Sequence, residues 1–419
     1  MAPTLRERFD TGKNNFDILR LVFAAMVVVE HACILQGHAG TFWARSGTTG
    51  EFGVDGFFVL SGFLVTRSYL RLNSLPRFAW HRFLRIMPGF WVCLLVCALV
   101  VAPLAALIQG MSGIEGFTGA PSAWRFLVVD SFLVIQQYDI GGVLAAAPYE
   151  PSFNGALWTL TFEAFCYVLV AALGVVGLLR RRRWVVPAFA AVLIVLTVLQ
   201  ENGFAVPVSD KVLRLVLMFA LGAVAYLYGE RIPMRGWYAL LALAVVIFSA
   251  VAFPDNYRLL GAVPAAYLVF WLALAGTRFV SLRVDLSYGI YIYHWPVIQL
   301  LALTSVRWLP DWSFVAIAMV STVPVALASW FLVEKPALAR KHSPFPDRVA
   351  ASLTRPWRAL ATGPQTFRMA KPRAGAAVSV PGPRLDGERS GIPAITAPIP
   401  VSGQIPAQMP APAPRHARS

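Results

Sequence analysis

An all-α, polytopic membrane protein is the fold class this sequence predicts, and three observations predict it. Hydrophobic residues make up 58% of the 419, charged residues only 14%, and mean hydropathy is +0.63. Apolar runs of roughly 18 to 24 residues recur along the chain, the length a helix needs to cross about 30 Å of hydrocarbon. Between these runs the basic residues gather in alternate loops.

The formal charge of +15 would suggest nucleic acid in a soluble chain. Its distribution argues instead for no nucleic-acid partner and for a lipid bilayer. Residues 340–419 hold 12 Lys/Arg against 3 Asp/Glu, and most other basic residues follow the loop alternation. Cys33, Cys93, Cys97 and Cys166 lie inside apolar runs without a CxxC pair. They read as reduced structural thiols, with neither a metal site nor a disulfide framework. Met1–Asn15 is polar and the first apolar run is full length without a small-residue cleavage site, so no cleavable signal peptide is expected.

About ten transmembrane helices follow from the hydropathy, at 16–36, 52–71, 84–108, 155–179, 184–201, 212–229, 236–253, 258–277, 284–304 and 312–334. This gives a cytoplasmic N-terminal segment (1–15), a transmembrane domain (16–337) and a disordered, Pro/Ala-rich basic tail (338–419). With the N-terminus in the cytoplasm, 19 loop Lys/Arg of the first 341 residues fall inside. Six fall outside: Arg45, Arg125, Lys211, Arg214, Arg258 and Arg307. The positive-inside rule then puts both termini in the cytoplasm and the protein in the plasma or inner membrane. Residues 353–360 of the tail carry a basic and apolar patch around Trp357 that reads either as a lipid contact or as solvated chain.

The first helix carries Asp17, Arg20, Glu30 and His31 in an otherwise apolar run. Ionisable groups inside a bilayer face a bundle interior and a partner, which makes them functional candidates. Eleven residues separate Arg20 from His31, about three turns plus 20°, so both lie on one face roughly 16 Å apart. Asp17, three residues before Arg20, is placed for an ion pair with it, and Glu30 points to a different neighbour from His31. The second helix offers Gly53, Gly56 and Gly62 for close backbone approach, Asp55 in the outer half near the level of His31, and Ser61, which most simply bonds back to its own helix.

At the entrance to the third helix Arg82 and Arg85 share a face, with Pro88 starting the helix proper. Two guanidiniums there suit the phosphates of a nucleotide-bearing substrate or, equally, serve as topogenic charge. In the loop 109–154, Trp124–Ile135 is apolar but too short to span. It reads as an interfacial or re-entrant segment roofing a cavity, or as a helix packed on the outer surface. Glu163 and Tyr167 lie one turn apart on one face of the fourth helix. In the ninth, Ser287, Tyr291 and His294 recur at i, i+4 and i+7 as a polar stripe, and Pro296 frees the carbonyl of Ile292 beside His294. Pro336, after Glu334, predicts a clean stop to the tenth.

These segments together resemble the acyltransferase-3 family of integral membrane O-acyltransferases. The resemblance rests on Arg20-x10-His31, Gly-Val-Asp-Gly-Phe-Phe-Val-Leu-Ser-Gly-Phe (53–63), Arg-Phe-Leu-Arg-Ile-Met-Pro (82–88), Trp-Thr-Leu-x-x-Glu (158–163), Ser-Tyr-x-x-Tyr-x-x-His-x-Pro (287–296) and Glu-Lys-Pro (334–336), and spans about residues 14–337. It implies ten helices and transfer of an acyl group, commonly acetyl from acetyl-CoA, to a carbohydrate hydroxyl across the membrane. Arg20, His31, Arg82, Arg85 and Glu163 match the positions the family uses. Two positions depart from its pattern: Glu30 stands where a smaller or aromatic residue is usual, and Gly56 where a bulkier apolar one is. Both bear on the shape of the acceptor pocket.

The expected mechanism follows. Acyl-CoA, a donor substrate rather than a permanent cofactor, docks its phosphates on Arg82, Arg85 and Arg20, with Ser287 and Tyr291 lining its path. His31 takes the acceptor proton or is itself acylated, and Glu163 or Asp55 orients its ring. The acceptor is a carbohydrate or glycolipid. The rival is a multi-pass exporter of a lipid or glycan using the same charges without covalent chemistry, though no inverted repeat is visible. A scaffold acting through its basic tail would leave the buried charges unexplained.

Overall fold

The computed structural model describes residues 2–348 except 11–12, 38–48, 150, 254–255, 275–281 and 283. Of the tail, 349–419 lies outside the described residues, as do Arg45, Glu150, Asp255, Arg278 and Arg283. Among the described residues the long helices are α1 (Phe16–Gln36), α2 (Thr49–Leu72), α3 (Leu75–Ile108), α4 (Trp158–Val175), α5 (Val185–Glu201), α6 (Asp210–Leu227), α7 (Gly236–Ala252), α8 (Arg258–Leu274), α9 (Ser287–Ala302) and α10 (Asp311–His342). No β-strand forms among the described residues.

Four of these, α1, α3, α4 and α10, are long and apolar enough to cross a membrane, and α5, α7 and α8 are shorter apolar helices. Large aliphatic side chains point outward, Leu240 and Val251 on α7 and Leu332 on α10 among them. An apolar rim of that extent suits lipid tails and would be a liability in water.

α1 packs on α2, α9 and α10; α2 packs on α6, and α7 on α8. The α2–α6 crossing is set by reciprocal glycines. A methyl on Gly62 would run into the Phe219 carbonyl oxygen, and one on Gly222 into that of Val59. Gly53 and Gly56 do the same against Phe23 of α1. Without a hydrophobic drive between helices, contact distance decides the packing, and glycine gives the shortest. α1 ends at Gly37, whose φ of 100° closes the helix with bonds to the Cys33 and Ile34 carbonyls.

Pro88 and Pro336 act differently from their expected roles. α3 starts at Leu75 with Pro76 in its first turn, so Pro88 lies inside the helix and Arg82 and Arg85 sit on its second and third turns. α10 does not stop at Pro336. A π-turn, Trp330–Glu334, absorbs the missing N–H, and helix continues through Lys335–Ala339 into a 3-10 turn, Arg340–His342. A like π-turn, Cys97–Val101, precedes Pro103 in α3.

The first residues of the expected tail, 338–348, pack on the start of α3. Trp80 Nε1 donates to the Arg340 carbonyl at 3.0 Å, and Arg77 forms a two-bond ion pair with Asp347 at 2.8 Å. The apolar stretch in the long loop forms a short helix, Ala123–Asp130, against α3. Trp91 Nε1 donates to the Ser131 carbonyl at 2.9 Å, while Trp124, Val128 and Phe132 stay exposed.

Replacing Gly222 by leucine should cost about 3 kcal/mol or more by overpacking, read as a fall in unfolding temperature of the detergent-solubilised protein. Gly236→Ala, where a methyl meets open space, should leave that temperature unchanged.

Candidate active site

Arg20, Arg82, Arg85, Glu163, Ser287 and Tyr291 come together around one cavity of about 890 Å³. Arg85 Nη2 donates to Asp285 Oδ2 at 2.8 Å, and Arg20 Nη1 reaches the same oxygen at 3.5 Å. The other oxygen of Asp285 accepts from the Ser287 hydroxyl at 2.7 Å and its backbone N–H at 3.3 Å, which fixes the carboxylate to the first turn of α9. The ion pair expected between Asp17 and Arg20 does not form. Arg20 turns to Asp285 because that carboxylate is anchored between two guanidiniums, the stronger electrostatic partner.

Arg82 is held differently. Its guanidinium lies 5.4 Å from the Tyr167 ring and 5.9 Å from the Phe78 ring, and its Nε is buried without a hydrogen-bond partner. Lys341 and His342, at the end of α10, also line the cavity. Glu163 accepts from the Tyr167 hydroxyl at 2.5 Å and from Ser61 Oγ at 3.1 Å. Ser61 thus reaches across to α4 instead of bonding within its own helix, since a carboxylate is a better acceptor than a helix carbonyl already in use.

The stripe on α9 is used along its whole length. Tyr291 shares a 2.5 Å hydrogen bond with Thr159 Oγ1 and donates to the Ala156 carbonyl at 3.3 Å. One turn on, His294 Nε2 lies 2.7 Å from His31 Nδ1, with the two rings coplanar to within 6° and side by side, their centroids 5.0 Å apart. His294 Nδ1 is 3.1 Å from the Ile290 carbonyl, and the Trp295 ring closes edge-on to His31 at 4.7 Å. Pro296 frees the Ile292 carbonyl as expected, and that oxygen accepts from Asn154 Nδ2 at 2.8 Å and Cys93 Sγ at 3.2 Å. The same loop takes the Trp295 indole N–H on the Ser152 carbonyl at 2.9 Å. The helix therefore stays continuous beside His294, its freed carbonyl answered by side chains.

Two sequence expectations are changed here. Neither Glu163 nor Asp55 orients His31; a second histidine contacts it. His31, expected on one face of α1 with Arg20, is not among the residues that line the cavity around Arg20. Tyr291, which does line it, has its ring 6.0 Å from that of His294 and 5.7 Å from that of Phe57.

Asp55 belongs to another cluster. Its Oδ1 accepts from Arg214 Nε at 2.9 Å, and its Oδ2 from Arg258 Nε at 2.6 Å and the Tyr257 hydroxyl at 2.7 Å. Glu51 pairs with the same two arginines at 2.9 and 2.7 Å. Glu30 accepts from the backbone N–H of Gly50, which ties α1 to the start of α2.

Sequence reasoning missed Asp285, Arg214 and Arg258 as members of these clusters, and His294 as the partner of His31. Asp285 stands two residues before the polar stripe, where a helix start favours an anion. Loop alternation alone assigns Arg214 and Arg258 to outer-loop charge, although each lies at the start of an apolar helix and Asp55 needs a partner.

A family profile described as an acyltransferase domain matches residues 13–331. Nodulation protein 10 of Rhizobium leguminosarum bv. viciae is 28% identical over 378 residues, 82% of this chain and 98% of its own length. The O-acetyl transferase of Shigella phage Sf6 is 26% identical over 339 residues, 78% of this chain and 96% of its own. Exopolysaccharide production protein ExoZ of Rhizobium meliloti (strain 1021) is 25% identical, covering 75% of this chain and 97% of its own. No solved structure matches the chain significantly.

Asp55→Ala should destabilise the protein by about 3 kcal/mol, because buried Arg258 and partly buried Arg214 lose their buried carboxylate and keep only the more exposed Glu51 among the described contacts. Thermal unfolding in detergent measures this, and loss of activity in that variant should track the loss of folded protein.

Proposed function

Since this chain belongs to the acyltransferase-3 family and is a membrane O-acyltransferase, we propose that it moves an acetyl group from cytoplasmic acetyl-CoA to a hydroxyl of a carbohydrate or glycoconjugate on the far side of the membrane. The observation that carries this reading is the 890 Å³ cavity. Basic side chains line its wall, and Tyr291 on that wall lies one helical turn from His294, the buried partner of His31. A CoA donor has that same polarity, polyanionic at one end and a thioester at the other.

Arg82 and Arg85 take the phosphates through charge-assisted bonds, with Arg20 and Lys341 adding positive field. Arg82 lines the cavity with no carboxylate bonded to it among the described contacts, and Asp285 holds Arg85 in place. The pantetheine arm runs toward Tyr291, and the roughly 16 Å from Arg20 to His31 along α1 is of its length. Delivery of the thioester to His31 requires the Phe57–Tyr291 contact to open. The acceptor oxygen then attacks the thioester carbon while its proton passes to His31 Nε2. The C–S bond breaks, and the same proton leaves on the sulfur as free CoA. The net reaction is hydroxyl plus thioester to ester plus thiol, as general base catalysis requires.

Family membership favours this reading over an exporter, and the printed names of the relatives, an O-acetyl transferase and an exopolysaccharide production protein, support the acetyl group and the saccharide acceptor. The basic loops support the cytoplasmic side for the arginines.

Membranes carrying the protein should release CoA from labelled acetyl-CoA and transfer label to envelope saccharide. His31→Ala should lower that transfer by about 10²- to 10⁴-fold. Arg82→Ala should raise the donor KM about tenfold with a smaller effect on kcat, the pattern of lost ground-state binding. Full activity of a folded His31→Ala protein would overturn the assignment of the base.

A further inference from the structure

The hydrogen-bonding partners of His294 settle which nitrogen of each ring carries a proton. The Ile290 carbonyl, 3.1 Å from His294 Nδ1, can only accept, so Nδ1 of His294 must be the protonated nitrogen. In a neutral ring that leaves Nε2 with the lone pair. Nε2 lies 2.7 Å from His31 Nδ1, so His31 Nδ1 must donate to it. His31 Nε2 is then the nitrogen with a free lone pair. A neutral pair has one arrangement that satisfies both contacts, and it runs from the Ile290 carbonyl through His294 to His31.

We propose that His294 is the positioning residue for His31, a neutral imidazole doing what a carboxylate does in a serine-hydrolase triad. This rests on His31 being the base. The role has two parts. His294 fixes the His31 tautomer that presents Nε2 to the acceptor hydroxyl, and the in-plane bond between the two coplanar rings, with the Trp295 ring packed across His31 at a steep angle, fixes its plane. When His31 Nε2 takes the acceptor proton, the ring becomes an imidazolium and its Nδ1–H bond to His294 becomes charge-assisted. The charge is shared with a second ring whose own N–H is held by the Ile290 carbonyl. Collapse of the tetrahedral adduct returns the proton from His31 Nε2 to the departing sulfur, and both rings are neutral again.

Support for His294 comes from backbone that substitution of side chains elsewhere would not disturb. Ile290 is one turn before it on α9, and Pro296, two residues on, leaves the Ile292 carbonyl to Asn154 and Cys93. His294 is fully buried, so water does not compete for its Nε2. No carboxylate is bonded to either ring among the described contacts: Asp55 is taken by Arg214 and Arg258, and Glu163 by Ser61 and Tyr167.

The test compares purified His294→Phe, His294→Gln and His31→Ala in detergent or vesicles, with labelled acetyl-CoA as donor and an acetylatable envelope saccharide as acceptor. Phenylalanine keeps the ring and removes the acceptor; glutamine puts an oxygen near the place of Nε2. His294→Phe should lower kcat by about 10²-fold or more with donor KM changed less than about threefold, because the loss falls on the transition state. His294→Gln should recover roughly a tenth or more of the parent kcat through its acceptor oxygen. Equal impairment of the two variants, or near-parent kcat in His294→Phe while His31→Ala is inactive, would overturn the role of His294 and leave the base intact. Activity in His31→Ala would instead overturn the reading beneath it. If His294→Phe does not fold, His294→Gln decides alone, and a kcat below about a tenth of the parent counts against the proposal.

Discussion

A charge inside an apolar helix bundle must meet an opposite charge or a fixed dipole, and three carboxylates of this protein tie its helices together under that constraint. Asp285 holds Arg20 of α1 and Arg85 of α3 to the start of α9. Asp55 holds α2 to the starts of α6 and α8 through Arg214 and Arg258. Glu163 joins α4 to Ser61 of α2. The apolar faces of these helices are interchangeable among themselves, so it is the polar pairs, with the glycine contacts between α2 and α6, that choose which helix lies beside which.

Much of this was legible because local patterns carry it. The apolar runs give the helices, the glycines of α2 give a close crossing, and the i, i+4 spacing of Glu163 and Tyr167 gives a hydrogen bond that does form. Arg20, Arg82, Arg85, Ser287 and Tyr291 do line one cavity. The pairings of Asp55 and His31 were not legible in the same way. Their partners lie 159 to 263 residues away in the chain, and periodicity within a helix says which face a side chain takes but not which helix will meet it. For Asp17 and Arg20 the local rule pointed to a pair that a better-placed distant carboxylate replaced.

Helix ends were misread for a related reason. A proline removes one N–H and is read locally as a stop, but a bundle can supply other partners for the carbonyl it leaves. Asn154 and Cys93 do so for Ile292, and a π-turn takes up the register at Pro336. Continuation of α10 past that proline brings Lys341 and His342 to the cavity, so part of its basic lining comes from residues assigned by composition to a tail.

Charge balance separates the arginines by what they do. In the cluster around Asp55 two guanidiniums face two carboxylates, Glu51 and Asp55, and the sum is neutral; such a set holds helices together and offers nothing to an anion. Around the cavity two carboxylates, Asp285 and Glu163, face Arg20, Arg82, Arg85 and Lys341; Asp285 is shared by Arg20 and Arg85, Glu163 is bonded to Ser61 and Tyr167, and Arg82 has aromatic rings for neighbours. That side carries a net positive charge in a partly enclosed space, where the field is screened less than at an open surface. Lys and Arg that a bundle leaves uncompensated are costly to fold around, and a polyanionic substrate lowers that cost when it binds. The two clusters thus use one residue type for opposite ends, and the count of carboxylates within reach, more than the arginine itself, decides which.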